Sequence, residues 1–310
     1  MKQTTIKYYL LLLFAVISWG SSYPVVRFLV QGGMHPYLVA FARTFISFAV
    51  ITVIFAWQKT GFGWTAYKKD WRLLTLMGLT GIFGFHWFMN VGLQYTQAGK
   101  STLINGINPV LIVLLAAFIL KEPLTKGRIW GMIISFLSLI LVISGNGQTL
   151  GEHFSFVPAD LLFLCTACCW SVYSVTNRIL APRLSGWTIL FWAFALGTFL
   201  LFPWAIPHLS DIANLSPVQW LWLFYLGIIP AVLGYYFWYL GIAKLGAATG
   251  GLINTFLPLS AIIISALWLG ENLLPLQYAG GFLLIGGVWQ ALRARGQKPE
   301  VRSQIKSQNP

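Results

Sequence analysis

Long apolar stretches run along almost the whole chain, separated by short groups of charged residues, Pro and Gly. They cover residues 7–30, 36–57, 72–93, 98–120, 127–145, 160–179, 186–207, 217–240, 246–269 and 274–292. Each is close to the roughly 20 apolar residues with which an α-helix crosses a bilayer. None alternates with the period of two found in membrane β-barrels. The pattern predicts an all-α polytopic membrane protein with ten transmembrane helices and a disordered polar tail over 294–310.

Composition and charge agree with this pattern. Hydrophobic residues make up 57% of the 310 residues and charged residues 9%, where about 25% charged is usual in soluble domains. Ten spans leave no room for a separate extramembrane domain. The formal charge of +13 would suggest nucleic acid in a soluble protein, but these basic residues lie in the breaks between apolar runs. We therefore predict membrane lipids as partners and no nucleic acid.

The basic residues also predict an orientation. When the amino terminus is placed inside, nearly all Lys and Arg fall in loops on that side. Only Arg27 and Lys100 fall outside, and Arg43 lies within the second span. Cytoplasmic loops carry the excess of Lys and Arg. We therefore expect an integral, multi-pass protein of a bacterial inner (plasma) membrane, with both termini cytoplasmic.

The chain repeats itself. Residues 71–140 align without a gap with 220–289, and L-I-N-x-x-x-P followed by L-x-E-x-L recurs at identical spacing. Upstream, Trp19 aligns with Trp170 and Arg27 with Arg178. This predicts two five-helix repeats, over 1–147 and 156–293. Because five is odd, the second repeat enters the bilayer from the opposite side, so the repeats are inverted. Such repeats commonly underlie alternating access, with the substrate near the midplane between them.

Several of these residues connect the chain to a known family. They are S-W-G-S-S-Y-P at 18–24, Pro36 and Arg43 in H-P-Y-L-V-A-F-A-R-T, and the repeated N-x-x-x-P and L-x-E elements. Because of these motifs, nearly all of the chain from residue 7 to residue 292 resembles the EamA-type permeases of the drug/metabolite transporter superfamily. The resemblance implies ten helices in two repeats around a central cavity. Similar proteins export amino acids or other small metabolites, and more distant relatives exchange sugar phosphates or nucleotide sugars, so the cargo stays open.

Two Asn–Pro pairs are candidates for the cavity wall. A helical Pro removes the hydrogen bond to the carbonyl four residues earlier. Asn105 and Asn254 lie four residues before Pro109 and Pro258. We interpret each Asn as substrate-binding and each Pro as a structural hinge. The alternative is a kink whose Asn bonds a neighbouring helix.

Aromatic residues and one histidine lie well inside the third and eighth spans, whereas membrane aromatics usually lie at the interface. The substrate-binding candidates among them are His86, Trp87, Tyr235, Tyr236 and Trp238. His86 and Tyr235 are equivalent under the repeat. Packing in the core or against lipid is the alternative. The carboxylates considered for coupling fall near span ends, which leaves facilitated diffusion, exchange, or proton linkage through His86 open.

The charge map and the inversion together suggest gates. Arg27 and Glu271 fall at the outer face, and Arg178 and Glu122 at the inner face. We hypothesise that each pair forms when its side is closed. The alternative is that each Arg snorkels to the interface and each Glu caps the next helix.

Enzyme motifs are absent from the sequence, which has no H-E-x-x-H, no G-x-S-x-G and no phosphate-binding Gly loop. The three cysteines lie in one apolar run without a nearby histidine, so we predict packing residues and neither metal nor cofactor. We expect a secondary transporter for a small-molecule substrate, an exporter of amino acids or related amphipathic metabolites. A membrane-embedded lipid flippase or lipid-modifying enzyme and a sensory or scaffolding protein are the alternatives, and a homodimer stays open.

Overall fold

The structure is a computed structural model that describes residues 3–57, 63–95, 105, 107–144, 160–269, 279–283, 285–287 and 289. Within these ranges the chain forms helices joined by short turns, and no β-strand occurs there. This confirms the predicted all-α class.

The helices of the first half begin with α1 (Gln3–Gln31) and α2 (Pro36–Trp57). A three-part helix follows, made of α3 (Trp64–Met77), a π-helical segment (Gly78–Gly84) and α4 (Phe85–Tyr95). The described part of this half ends with α5 (Asn108–Leu120) and α6 (Lys126–Ser144).

The second half follows the same order. It starts with α7 (Asp160–Leu180) and α8 (Gly186–Ala205), which continues into a 3-10 helix (Ile206–Asn214). Its three-part helix consists of α9 (Pro217–Leu226), a π-helical segment (Gly227–Leu233) and α10 (Gly234–Leu245). Next come α11 (Ala247–Asn254) and α12 (Phe256–Leu269).

Among the described residues, five helical segments are long and apolar enough to cross a membrane: Ile6–Gln31, Pro36–Trp57, Trp64–Gly92, Gly186–Asn214 and Pro217–Leu245. Large apolar side chains on the outside of the bundle are almost fully exposed, as at Trp57 (89%), Phe118 (88%) and Leu267 (80%). An exposed apolar surface of this kind is unfavourable in water and suits a lipid environment. The chain is therefore a polytopic membrane protein. The predicted spans over 98–120 and 274–292 lie partly outside the described residues, and the predicted tail lies wholly outside them.

The structure corrects one predicted span. Residues 246–269 were expected to form one helix, but α11 ends at Asn254 and α12 begins at Phe256. Pro258 has no N–H to donate to the carbonyl of Asn254, so the α-helical pattern is interrupted at that point. Pro109 lies in the first turn of α5, where a missing N–H costs little.

The internal repeat is visible in the packing. The two π-helical segments occupy equivalent positions, 78–84 and 227–233. Helix α2 packs on the second π segment and α8 on the first, while α1 packs on α10 and α4 on α7. The contacts between the halves thus occur in equivalent pairs, as expected for a pseudo-two-fold arrangement.

Two equivalent glycines make the close approach of these helices possible. A Cβ at Gly241 would lie 2.3 Å from Cγ of Leu12, and one at Gly92 would lie 2.7 Å from the Phe163 ring. Gly92 and Gly241 are matched in the repeat. Helices that contact each other through such small residues can approach closely in a membrane.

Candidate functional site

A cavity lies between the two halves. Its wall is built by α1, α2, α4, α5, α6, α7, α10 and the break between α11 and α12. About 860 Å³ between its walls, including space open to solvent, is not filled by protein atoms.

Equivalent residues of the two repeats line this cavity together. The pairs are Asn105 and Asn254, Pro109 and Pro258, His86 and Tyr235, and Trp19 and Trp170. The rings of Trp19 and Trp170 contact each other edge to face, with centroids 4.8 Å apart. Equivalent residues can touch only near the axis that relates them. The cavity therefore lies on the pseudo-two-fold axis.

Four of the seven predicted substrate-binding residues come together on the cavity wall. They are Asn105, Asn254, His86 and Tyr235. Both hinge candidates, Pro109 and Pro258, also lie on this wall.

The other three predicted binding residues lie away from this wall. Trp87 packs against Trp204, and Tyr236 stacks on Trp187 with 4.1 Å between ring centroids. Trp238 is fully buried behind the wall. Successive residues of an α-helix point about 100° apart, so Trp87 and Tyr236 cannot share the direction of the residues before them. The prediction treated each aromatic stretch as one unit and overlooked this rotation.

Several polar atoms in the wall have no hydrogen-bond partner among the described residues. These atoms are Nδ1 and Nε2 of His86, Nε of Arg43, and Oδ1 of Asn105, Asn108 and Asn254. Buried polar groups are normally hydrogen-bonded, because leaving one unpaired is costly. Their concentration around one cavity indicates a place where solvent or a ligand completes the bonds.

Arg43 was not among the predicted site residues. It lies on α2 in the cavity wall, and only 4% of it is exposed. Tyr235 and Tyr23 are its electrostatic neighbours. No acidic side chain that the structure describes lines the cavity. A charged residue inside an apolar span was the signal that could have identified it.

The π-helical segments position two of the wall aromatics. Trp19 Nε1 donates a 2.8 Å hydrogen bond to the carbonyl of Pro230, and the Tyr235 hydroxyl donates a 3.1 Å bond to the carbonyl of Gly81. Gly81 and Pro230 are equivalent under the repeat. A π turn interrupts the regular α pattern and frequently occurs at functional sites. A Cβ at Gly81 would lie 2.0 Å from the Tyr173 ring, so glycine is required there.

The predicted gate residues have other contacts in this structure. Arg178 donates to the carbonyl of Ala243. The Glu122 carboxylate accepts hydrogen bonds from the backbone N–H groups of Ala247 (3.0 Å) and Ala248 (3.4 Å). Glu122 thus caps the first turn of α11, a helix of the other half. Arg27 is exposed on α1 and Glu271 lies outside the described residues, so both gate pairs stay predictions.

An ion pair that the sequence did not suggest joins the halves at the end predicted to be cytoplasmic. Arg183 Nη1 lies 2.9 Å from Oδ1 of Asp70, and the Asp70 side chain is only 6% exposed. Asp70 precedes the third predicted span, and it was not considered with the other carboxylates.

Within the described ranges, no three His, Cys, Asp or Glu side chains come together as a metal site requires. Cys165, Cys168 and Cys169 are free thiols.

The family follows from comparison with known sequences. The pattern of the EamA-like transporter family matches residues 6–144 and again residues 157–293. The chain belongs to this family. It is therefore a membrane transporter with a two-repeat architecture, and its relatives are named as transporters and not as enzymes.

Three bacterial proteins are similar to this EamA-like transporter over most of its length. The uncharacterized transporter YyaM of Bacillus subtilis (strain 168) is 29% identical over 289 residues, covering 91% of this chain and 92% of that protein. The "Probable terminal-alkyne amino-acid exporter" of Streptantibioticus cattleyicolor is 27% identical, with 89% and 90% covered. The uncharacterized inner membrane transporter YhbE of Escherichia coli (strain K12) is 27% identical, with 92% and 93% covered.

A solved crystal structure has the same fold. It superimposes on this EamA-like transporter with a TM-score of 0.76 at 23% sequence identity, and the match covers 93% of this chain and 98% of the other.

Proposed function

We propose that this EamA-like transporter is a secondary transporter that exports amino acids or related amphipathic metabolites by alternating access. The observation that carries the proposal is the cavity on the pseudo-two-fold axis. Because both repeats contribute equivalent residues to its wall, an exchange of conformations between the repeats would open the same site to opposite faces of the membrane.

The proposal includes ten transmembrane helices in two inverted repeats, with both termini in the cytoplasm. Five spans per repeat and the one-sided distribution of Lys and Arg support this arrangement. It places Asp70, Arg183, Glu122 and the start of α11 at the cytoplasmic end of the bundle. Their contacts join the two halves, so opening of the cavity at that end requires them to break.

Two observations support amino acids as the substrate class. One relative that covers most of this chain is named as an amino-acid exporter. The cavity also combines aromatic rings with carboxamide, imidazole and guanidinium groups, which suits a molecule with an apolar body and a polar head. His86, Tyr235, Asn105 and Asn254 are the proposed substrate-binding residues, and Pro109 and Pro258 the proposed hinges.

Counterflow in proteoliposomes tests the proposal. Vesicles loaded with an unlabelled mixture of amino acids are diluted into buffer with one labelled amino acid at a time. We expect transient accumulation of at least one label, and the same accumulation with Phe118→Leu, a substitution on the lipid-facing side of α5. A protein that accumulates no label but scrambles a fluorescent phospholipid between leaflets is a flippase, and the proposal is then wrong.

A further inference from the structure

Arg43 carries a positive charge inside the membrane-spanning bundle, and no acidic side chain that the structure describes lines the cavity beside it. Its side chain is buried in the cavity wall, and its Nε has no hydrogen-bond partner among the described residues. The acidic side chains that the structure describes lie elsewhere. Asp70 pairs with Arg183, Glu122 caps α11, and Asp211 lies near His35.

Burial of an uncompensated charge is expensive. A guanidinium stays protonated in proteins, so Arg43 cannot avoid this cost by losing its proton. The favourable solution is an anion that enters the cavity and accepts its hydrogen bonds. We propose that Arg43 binds the single negative charge of the substrate, and that the substrates are small carboxylates with an apolar or aromatic body. This inference rests on the proposed transport function.

The charge of the site favours a carboxylate over a phosphate. Arg43 is the only Lys or Arg among the described residues that line the cavity, and one guanidinium balances one carboxylate. The planar fork of N–H donors also matches a carboxylate with two parallel hydrogen bonds. A phosphate monoester carries about −1.5 to −2 charges at neutral pH, which would leave negative charge unbalanced in an apolar cavity.

The rest of the wall fits the remaining parts of such a molecule. The rings of Trp19, Trp170 and Phe85 line the cavity and offer apolar faces to a side chain. The carboxamides of Asn105 and Asn254 include oxygens that accept hydrogen bonds from an ammonium group. A zwitterionic amino acid would satisfy the guanidinium and the carboxamides together.

A competition experiment on the unmodified protein tests the proposal without any variant. The labelled substrate is the amino acid that accumulates in counterflow. The unlabelled competitors are phenylalanine, leucine and threonine, and the carboxamide of each of these amino acids. 3-Phenylpropanoate and phenyl phosphate complete the panel. We expect the acids to compete about tenfold to a hundredfold better than the amides, as loss of charge-assisted hydrogen bonds predicts, and 3-phenylpropanoate to compete better than phenyl phosphate.

The outcomes separate this proposal from the transport function. If amides compete as well as their parent acids, or phenyl phosphate competes better than the carboxylates, transport stands and the carboxylate proposal is wrong. If the only labelled metabolites that accumulate lack a carboxylate, transport likewise stands and the carboxylate proposal is wrong. If no metabolite of any class accumulates, the transport function itself fails, and the carboxylate proposal fails with it.

Variants test whether the preference for acids over amides depends on Arg43. Arg43→Gln should lose the preference for acids over amides, and Arg43→Lys should retain part of it because the charge remains. Arg72→Gln is the matched control, since Arg72 is exposed and lies over the Trp71 ring, and it should keep the wild-type preference. An unchanged acid-to-amide ratio in Arg43→Gln overturns the assignment. If Arg43→Gln does not elute as a monodisperse protein, the ratio measured on the wild type decides.

Discussion

Asn105 and Asn254 are equivalent side chains that meet at one cavity. We predict that Asn105→Ala or Asn254→Ala lowers transport severalfold and leaves a folded, membrane-inserted protein, because one hydrogen bond in a wet cavity contributes only about 0.5–1.5 kcal/mol. Counterflow rates and size-exclusion profiles are measured together. Asn214→Ala, an exposed substitution, is the control. Normal transport by both cavity variants, or failure of both to fold, would make the two Asn residues structural.

His35 and His208 stack face to face in the predicted extracellular region, with ring centroids 3.5 Å apart and planes 7° from parallel. Burial lowers the pKa of His35 below its ordinary value of 6.5, and the nearby charge of His208 lowers this pKa further, while Asp211 opposes the shift. The folded protein therefore favours neutral His35. Neutral His35 therefore contributes to the free energy of unfolding. This contribution is complete above the pKa that His35 has in the unfolded chain, and it is lost as the pH falls through the lower pKa that His35 has in the folded protein.

We therefore predict that the melting temperature of the detergent-solubilised protein is lower at about pH 5 than at about pH 7.5. In His208→Gln the decrease should be smaller, because protonated His35 no longer faces a second imidazole. Melting curves of both proteins across this range check the prediction. Equal pH dependence in the two would show that the stacked pair is not its source.

Some residues of the candidate site could be predicted from the sequence, and others could not. The internal repeat by itself pairs His86 with Tyr235 and Asn105 with Asn254, and all four lie on the cavity wall. Trp87 and Tyr236 lie away from this wall, because helical phase, which an aromatic composition does not reveal, decides which ring faces the cavity. Arg43 was visible as a charge within a span, yet only the three-dimensional structure shows that the described part of the cavity wall holds no acidic side chain beside it.

At the scale of helices, the contact of α1 with α10 depends on the absence of a side chain at Gly241. Gly241→Ala places a methyl group against buried Leu12, and overpacking of this kind typically destabilises by about 1–3 kcal/mol. We predict a lower melting temperature for Gly241→Ala and partial recovery when it is combined with Leu12→Ala. Gly286→Ala is the control, because nothing lies within 4 Å of the added atom. Equal melting temperatures for Gly241→Ala and Gly286→Ala would contradict this account.

The cap that Glu122 forms on α11 links the two halves. In Glu122→Gln the charge at the start of α11 disappears, and such an interaction contributes about 0.3–1 kcal/mol. We predict a shift of severalfold or less toward the state whose cavity is open to the cytoplasm. The measurement is the labelling of a cysteine introduced at Ser22, in the cavity wall, by an impermeant reagent from each side, with the three native cysteines replaced. Lys68→Gln, exposed on α3, is the control, and an unchanged labelling ratio would remove Glu122 from gating.

Helix boundaries could be predicted where they depend on local chemistry. The length of the apolar runs located the long spans. The Asn–Pro spacing indicated a hinge at Pro258, although the break into two helices there was not predicted. The π-helical segments could not be read in the same way, because their sequences, GLTGIFG and GIIPAVL, differ little from ordinary membrane helix. The hydrogen bonds that these segments receive from distant residues, such as the bond from Trp19 Nε1 to the carbonyl of Pro230, are also not visible in the local sequence.

For the whole molecule, the orientation in the membrane is an expectation that cysteine labelling can check. Cysteines introduced near Gln148 and Asn214 should react with an impermeant reagent added outside intact cells, and cysteines near Thr65 and Ala181 only after the inner face is exposed. The prediction follows from the distribution of Lys and Arg. Labelling at Thr65 from outside would reverse the orientation and contradict the inverted arrangement.

The two π-helical segments also bear on how the two equivalent halves could adopt different conformations. A π turn holds one residue more than an α turn of the chain. If one segment were drawn into α geometry, the helix beyond it would advance by one residue in register and rotate by roughly 100°. On the first half this would carry His86 away from the axis and bring Phe85, the residue before it, into its place, while the second half kept Tyr235 in place. A single slipped turn would thus be enough to make two matched halves present unlike faces to the same molecule.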